Sequence, residues 1–178
     1  GASRRRIGEL VRPLGDETVA TRIPSCPAWD VRSLCSHVTG IAADLVARRN
    51  PDGDTQAWVD RQIAERADRP VTAIIDEWDE VGPSFEALIE RKSAAFGGLL
   101  YDLVAHEHDL RHAIGQPGAR DGDGVVLAMG IERDILHRDL LAQGLPAVRL
   151  RAGGHEFLAG DGEVGLELDL GDRPGGVF

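Results

Sequence analysis

Apolar residues recur at Val31, Leu34, Cys35, Val38, Ile41, Ala42, Leu45 and Val46, a spacing that gathers them on one stripe of a helix. It predicts a helix from Asp30 to about Arg48. Pro24 and Pro27 lie ahead of it, Asp30 serves as N-cap, and Pro51 with Asp52-Gly53-Asp54 ends it. A weaker stripe of Trp58, Val59 and Ile63 predicts a second helix over about Thr55 to Ala67. A third starts near Pro70, a residue suited to a first helical turn, and runs through Ile74, Ile75, Trp78 and Val81. Gly82-Pro83 either breaks it or kinks it before Phe85, Leu88 and Ile89. The fourth spans about Ser93 to Ile114, with Phe96, Leu99, Leu100, Leu103, Leu110 and Ile114 inward and Gly115 and Pro117 as its stop. After a Gly/Asp-rich loop from Gln116 to Gly124, a fifth covers about Val125 to Gln143.

From Leu145 the texture changes to short β-like runs, Ala147–Arg151, His155–Ala159 and Val164–Leu170, separated by Gly153-Gly154 and Gly160-Asp161-Gly162. They read as a small antiparallel sheet of two or three strands, which must lean on other structure to be stable. The expected fold is therefore mainly α: a short-looped helical bundle over residues 1–144 and a β-rich segment over 145–178, α+β overall.

The 178 residues suit one ordinary domain, and 42% hydrophobic with 28% charged residues excludes a disordered chain. The longest apolar runs are too short to span a membrane, and no apolar block follows Arg4-Arg5-Arg6, so no secretory leader is expected. Cys26 and Cys35 form neither a zinc-ribbon pattern nor a disulfide framework; both read as small buried apolar residues in a reducing cytoplasm. With 20 basic against 30 acidic side chains the formal charge of −10 repels a phosphate backbone, which argues against nucleic acid as a partner. The chain has no Gly-rich phosphate cradle after a strand and no Gly-x-Ser-x-Gly elbow, so nucleotide-dependent and serine-hydrolase chemistry lack support.

His37 lies near the edge of the first stripe, where it can reach a cavity between helices. Asp102 and His106, four residues apart, project from one face of the fourth helix, and Asp109 follows on the same wall. His106 sits among Leu99, Leu103 and Leu110, and Asp102 borders them, so both need a compensating partner. A divalent cation is one such partner, and a hydrogen-bonded Asp/His pair is another. His108 and His112 fall on the polar side of that helix, and His137 and His155 stand alone. Asp121-Gly122-Asp123-Gly124 lacks the remaining ligands of a calcium loop.

The stretch from Ile23 to Gly40, with Pro27-Ala28-Trp29-Asp30-Val31 leading into a helix that carries His37-Val38-Thr39-Gly40, resembles the opening of the mycothiol-dependent maleylpyruvate isomerase family, within the DinB-like superfamily. Asp102-Leu103-Val104-Ala105-His106-Glu107-His108-Asp109-Leu110-Arg111, followed by Ala113 and Gly115-Gln116-Pro117, resembles the family's second block. Arg66 to Pro70, leading to Glu77-Trp78, is also similar, and the likeness extends over about residues 5 to 170. It implies a DinB-like four-helix bundle, often followed by a small α/β domain, and a divalent metal, zinc or nickel, held by His37, Asp102 and His106. The characterised isomerase has a glutamate where this chain has Asp102, one methylene shorter. After Leu170 no amphipathic helix follows, so the family's C-terminal part is expected to be shortened.

The resemblance further implies a mycothiol-dependent isomerase or S-transferase in which the metal activates the thiol toward a small electrophile. Asp109 and Arg111 are candidates for orienting groups around the site, with Arg111 pairing Asp109 or anchoring an acidic substrate; the helical projection turns Arg111 away from the metal wall and favours a structural role. The alternatives are a metal-dependent hydrolase and a non-catalytic metal- or ligand-binding bundle. The substrate stays open, as does the choice between monomer and homodimer.

Overall fold

The computed structural model describes residues 1–91, 96–152 and 154–169. In chain order these form α1 (Ala2–Val11), α2 (Asp16–Val19), β1 (Arg22–Ile23), β2 (Cys26–Asp30), α3 (Val31–Val46), α4 (Thr55–Ala64), α5 (Val71–Arg91), α6 (Gly97–Ala113), α7 (Asp123–Gln143), β3 (Ala147–Ala152), β4 (His155–Ala159) and β5 (Val164–Asp169). The expected class holds: mainly helical, with a small C-terminal sheet. The elements divide into two units. One contains α1 to α5, β1, β2 and α6 from His106 on; the other contains α6 up to Ala105, α7 and β3 to β5. Among the described residues no helix is long and apolar enough to cross a membrane.

In the first unit α3 packs against α5 and α4, and α1 packs against α5. Val31, Leu34, Cys35 and Ala42 of α3 are fully buried, as are Ile74, Ile75 and Trp78 of α5 to within 2% and Ile7 and Val11 of α1. Those of α3 and α5 are the stripe positions the periodicity marks, which is why α3 follows its predicted course closely. Its start is fixed as the sequence indicates: the Asp30 carboxylate accepts from the Ser33 backbone N–H at 2.8 Å and from the Ser33 hydroxyl at 2.7 Å. Asp30→Ala should therefore lower stability by about 1 kcal/mol in urea denaturation.

Gly82-Pro83 neither ends nor splits the third predicted helix, because α5 runs through Pro83 to Arg91. Gly82 is buried, and a Cβ there would meet the Arg4 side chain at 2.5 to 2.9 Å, so glycine admits that arginine. Four elements without a strong sequence signal precede α3: α1, the single turn α2, and the two short antiparallel strands β1 and β2, paired Arg22 with Asp30 and Ile23 with Cys26.

The second unit lays α7 on the C-terminal sheet, whose order is β4-β3-β5. The sheet is mixed: β4 is antiparallel to β3 as expected, whereas β5 runs parallel to it. Val125, Met129 and Leu140 of α7 meet Val148, Leu150 and Ala159 in one buried cluster. The opposite face is charged, with Arg149 and Arg151 bridging Glu156 and Glu167 across the three strands. Several positions read from the sequence, Ser93 as a helix start, Gly153, Leu170 and the tail from Gly171 to Phe178, lie outside the described residues.

Candidate metal centre

His37 lies midway along α3 and is 5% exposed; His106 lies on α6 and is 8% exposed. Their rings meet edge to face, centroids 5.3 Å apart and planes at 88°. Trp29, on β2 just ahead of α3, covers both, with centroids 5.0 Å from His37 and 5.6 Å from His106. The unforeseen β1/β2 pair thus holds in place the indole that flanks the two imidazoles.

The His37 ring is held from behind by a buried chain of polar groups. Its Nδ1 lies 3.0 Å from Gln62 Oε1, while Gln62 Nε2 donates to Asp44 Oδ2 at 3.2 Å. A carboxylate can only accept, so Gln62 must turn its NH2 to Asp44 and its carbonyl oxygen to His37. Nδ1 of His37 is then the protonated nitrogen, and Nε2 carries the lone pair. Gln62 and Asp44 are both fully buried, and Asp44 is neutralised by Arg49 at 2.6 Å and Arg61 at 3.1 Å. Arg66 adds an anchor by donating to the Gln62 backbone carbonyl at 3.0 Å while its other nitrogens grip Glu77. Burial pushes the Glu77 carboxyl up, but Arg66 and Arg69 outweigh it and hold it below the ordinary carboxylate range. Gly40 makes room for this chain, since a Cβ there would come within 2.5 Å of Gln62 Cβ and Cγ.

His106 is oriented in the same manner. Its Nδ1 lies 3.1 Å from Asp109 Oδ2, and the other oxygen of Asp109 accepts from the Ser25 hydroxyl. Against an acceptor-only carboxylate, Nδ1 is again the donor and Nε2 the lone-pair nitrogen. Asp102 stands one turn before His106 on α6 and is half-buried. A ligand atom of His37 lies within 4.8 Å of one of His106. Two imidazoles, with the Asp102 carboxylate one turn along α6 from His106, make a nitrogen and oxygen donor set of the kind that fits a zinc-like divalent cation with coordination positions to spare.

Arg111 donates to Glu107 Oε1 from two nitrogens at 3.2 Å and to the Gln116 carbonyl, the structural role its helical position favours. His112 is exposed, as expected of a solvated residue, whereas His108 is half-buried and engaged with neighbouring groups. His137 accepts from the Gly160 backbone N–H at 3.0 Å, which ties α7 to the end of β4. The reading of both cysteines as buried needs correction for Cys26. Cys35 is fully buried, and that burial, with Asp30 nearby, pushes its thiol up to about 12. Cys26 is only partly covered, at the start of β2, none of whose residues is fully buried.

Gln62 and Asp44 carry no part in the sequence reading, and Trp29 and Glu107 enter it only as motif positions without a role. Gln62 falls one turn after Trp58 on the buried side of α4, and Asp44 falls seven residues after His37 on the same side of α3. A polar residue inside an apolar stripe was the available signal in both, as it was for His106. Gln62→Leu keeps the volume but removes both hydrogen bonds. It should weaken zinc binding by about 10–100-fold, the usual cost of losing the partner of a metal-ligating histidine, read by competition with a chromophoric chelator.

A family model described as mycothiol maleylpyruvate isomerase N-terminal domain matches residues 1–97. The match includes Trp29, His37, Asp44 and Gln62 and stops short of Asp102, His106 and Asp109. No curated protein and no solved structure matches the chain.

Proposed function

The chain belongs to the mycothiol maleylpyruvate isomerase N-terminal domain family, and from that premise we propose a divalent-metal-dependent enzyme that activates a low-molecular-weight thiol, mycothiol, toward a small electrophile. The observation that carries this reading is the convergence of the buried His37 and His106 rings, each held through Nδ1, with Asp102 one turn before His106 on the same helix. When bound, the cation supplies Lewis-acid stabilisation of negative charge on sulfur, so that a thiol can give up its proton at neutral pH.

The chain's own residues supply the remaining needs. Gln62 and Asp109 fix the two ring tautomers before any ligand arrives, so that binding does not have to order them. Trp29 sits against both imidazoles and shields them from water, which strengthens electrostatic interactions within reach of those rings. A sulfur so activated would add to an electron-poor alkene, pushing the π pair onto the adjacent carbon, and after rotation about the resulting single bond that pair would re-form the alkene and expel the thiolate. Alternatively the sulfur would displace a leaving group that departs with its bonding pair, and these are the isomerase and S-transferase outcomes.

Calorimetric titration of mycothiol into zinc-loaded and chelator-stripped protein tests the reading. Binding that requires zinc supports it. Zinc-loaded protein that ignores mycothiol contradicts it, and leaves a hydrolytic or non-catalytic metal site in its place.

A further inference from the structure

The sequence reads Cys26 as a packing residue, yet its Sγ, a ring nitrogen of His106 and a carboxylate oxygen of Asp109 lie within 4.8 Å of one another. We propose that Cys26, His106 and Asp109 form a second metal-binding group, suited to a thiophilic divalent cation such as zinc or cadmium, that shares His106 with the His37 and Asp102 group.

Three features support it. First, the donor set differs in kind: sulfur, nitrogen and oxygen in place of two nitrogens and an oxygen, and a thiolate favours the softer cations. Second, the group is built on a fixed frame, because the Ser25 hydroxyl, one residue before Cys26, donates to Asp109 and so ties the start of β2 to α6. Asp109 and His106 are already joined at 3.1 Å. Third, the thiol is reachable, since Cys26 is partly exposed whereas Cys35 is fully buried.

His106 has two ring nitrogens, and Nδ1 is the one turned to Asp109. A cation in the second group binds His106 at Nδ1, whose proton moves to Nε2 by exchange with water, while the Cys26 thiol releases its proton to solvent on ligation. The two groups are therefore alternative uses of one neutral ring and are not filled at the same time. Rotation about the single Cα–Cβ bond of Cys26 adjusts the sulfur to the roughly 2.3 Å bond that zinc requires. Three protein donors then leave a fourth position open. The inference does not depend on the thiol-activating reading, because it concerns a different donor set and needs no substrate.

Cobalt(II) titrated into the metal-free 178-residue chain gives the test, since a thiolate bound to cobalt produces an intense near-ultraviolet charge-transfer band. The wild type should show that band, Cys26→Ser should abolish it, and Asp109→Asn should weaken it, while His37→Ala and Asp102→Asn should retain it. No thiolate band in the wild type, a band that survives Cys26→Ser, or a band lost in His37→Ala would each overturn the proposal. Should Cys26→Ser fail to fold, alkylation of wild-type Cys26 with and without cadmium decides instead: cadmium should protect the thiol, and an unchanged rate refutes ligation. Loss of mycothiol binding with the cobalt band intact would strike only the function proposed above.

Discussion

Glu107→Ala should destabilise the helical unit by about 3 kcal/mol in urea denaturation, the low end of the range for breaking a buried ion pair. Glu107 is 1% exposed and sits between two arginines: Arg6 grips both carboxylate oxygens at 2.6 Å, and Arg111 reaches one of them at 3.2 Å. Removing the carboxylate leaves the Arg111 charge uncompensated with only 13% of its side chain exposed. Arg6, one-third exposed, recovers part of its hydration, which keeps the cost at the low end. The same trio gives the unit an acid limb. Burial pushes the Glu107 carboxyl up, but Arg6, Ser3 and Arg111 together outweigh it and hold it below the ordinary carboxylate value. A depressed folded-state value contributes stability that is fully present above the unfolded-state value of about 4.3 and is lost as pH falls through the folded-state one. The stability gap between wild type and Glu107→Gln should therefore be largest near neutrality and narrow below about pH 4. A gap that widens with acid would mean that the carboxyl is not held down by these arginines.

His106→Ala should lower zinc affinity by more than about a hundredfold, beyond what the loss of a supporting partner such as Gln62 produces. The residue is the one shared by both ligand groups, so neither can compensate for its absence. Its ring is nearly buried against Trp29 and His37, so the variant also leaves a small cavity and a modest loss of stability is expected. Circular dichroism separates the two effects. A folded variant that still binds zinc as tightly as the wild type would remove His106 from the ligand set.

The sequence was most informative where burial and periodicity agree. The α3 stripe, its Asp30 cap and the inward placement of His37 and His106 were all readable, because an apolar face has one way to pack and a histidine within it stands out. Pro83 was ambiguous because local propensity argues for a break, while the burial of Ile74, Ile75, Trp78 and Phe85 on one continuous face favours an unbroken helix. The β1/β2 pair was invisible: two-residue and five-residue strands around Pro24 and Pro27 carry no alternation to detect. Leu99, Leu100 and Leu103, expected inside, are only partly covered, so the fourth predicted helix is less amphipathic in fact than its leucines suggest. Gln62 and Asp44 were passed over because polar side chains read as surface by default, and only the fold reveals that each satisfies the other.

Nitrogen-15 spectra of imidazole-labelled protein, recorded as zinc is added, bear most directly on whether His37 and His106 share one cation. Before zinc, both rings should show a protonated Nδ1 and a lone-pair Nε2, as their hydrogen bonds to Gln62 and Asp109 require. With zinc, the Nε2 resonances of both should shift together and saturate at the same added amount, and Asp102→Asn should weaken both responses. If the two rings respond at different zinc concentrations, or neither Nε2 moves, these imidazoles do not hold a common metal ion.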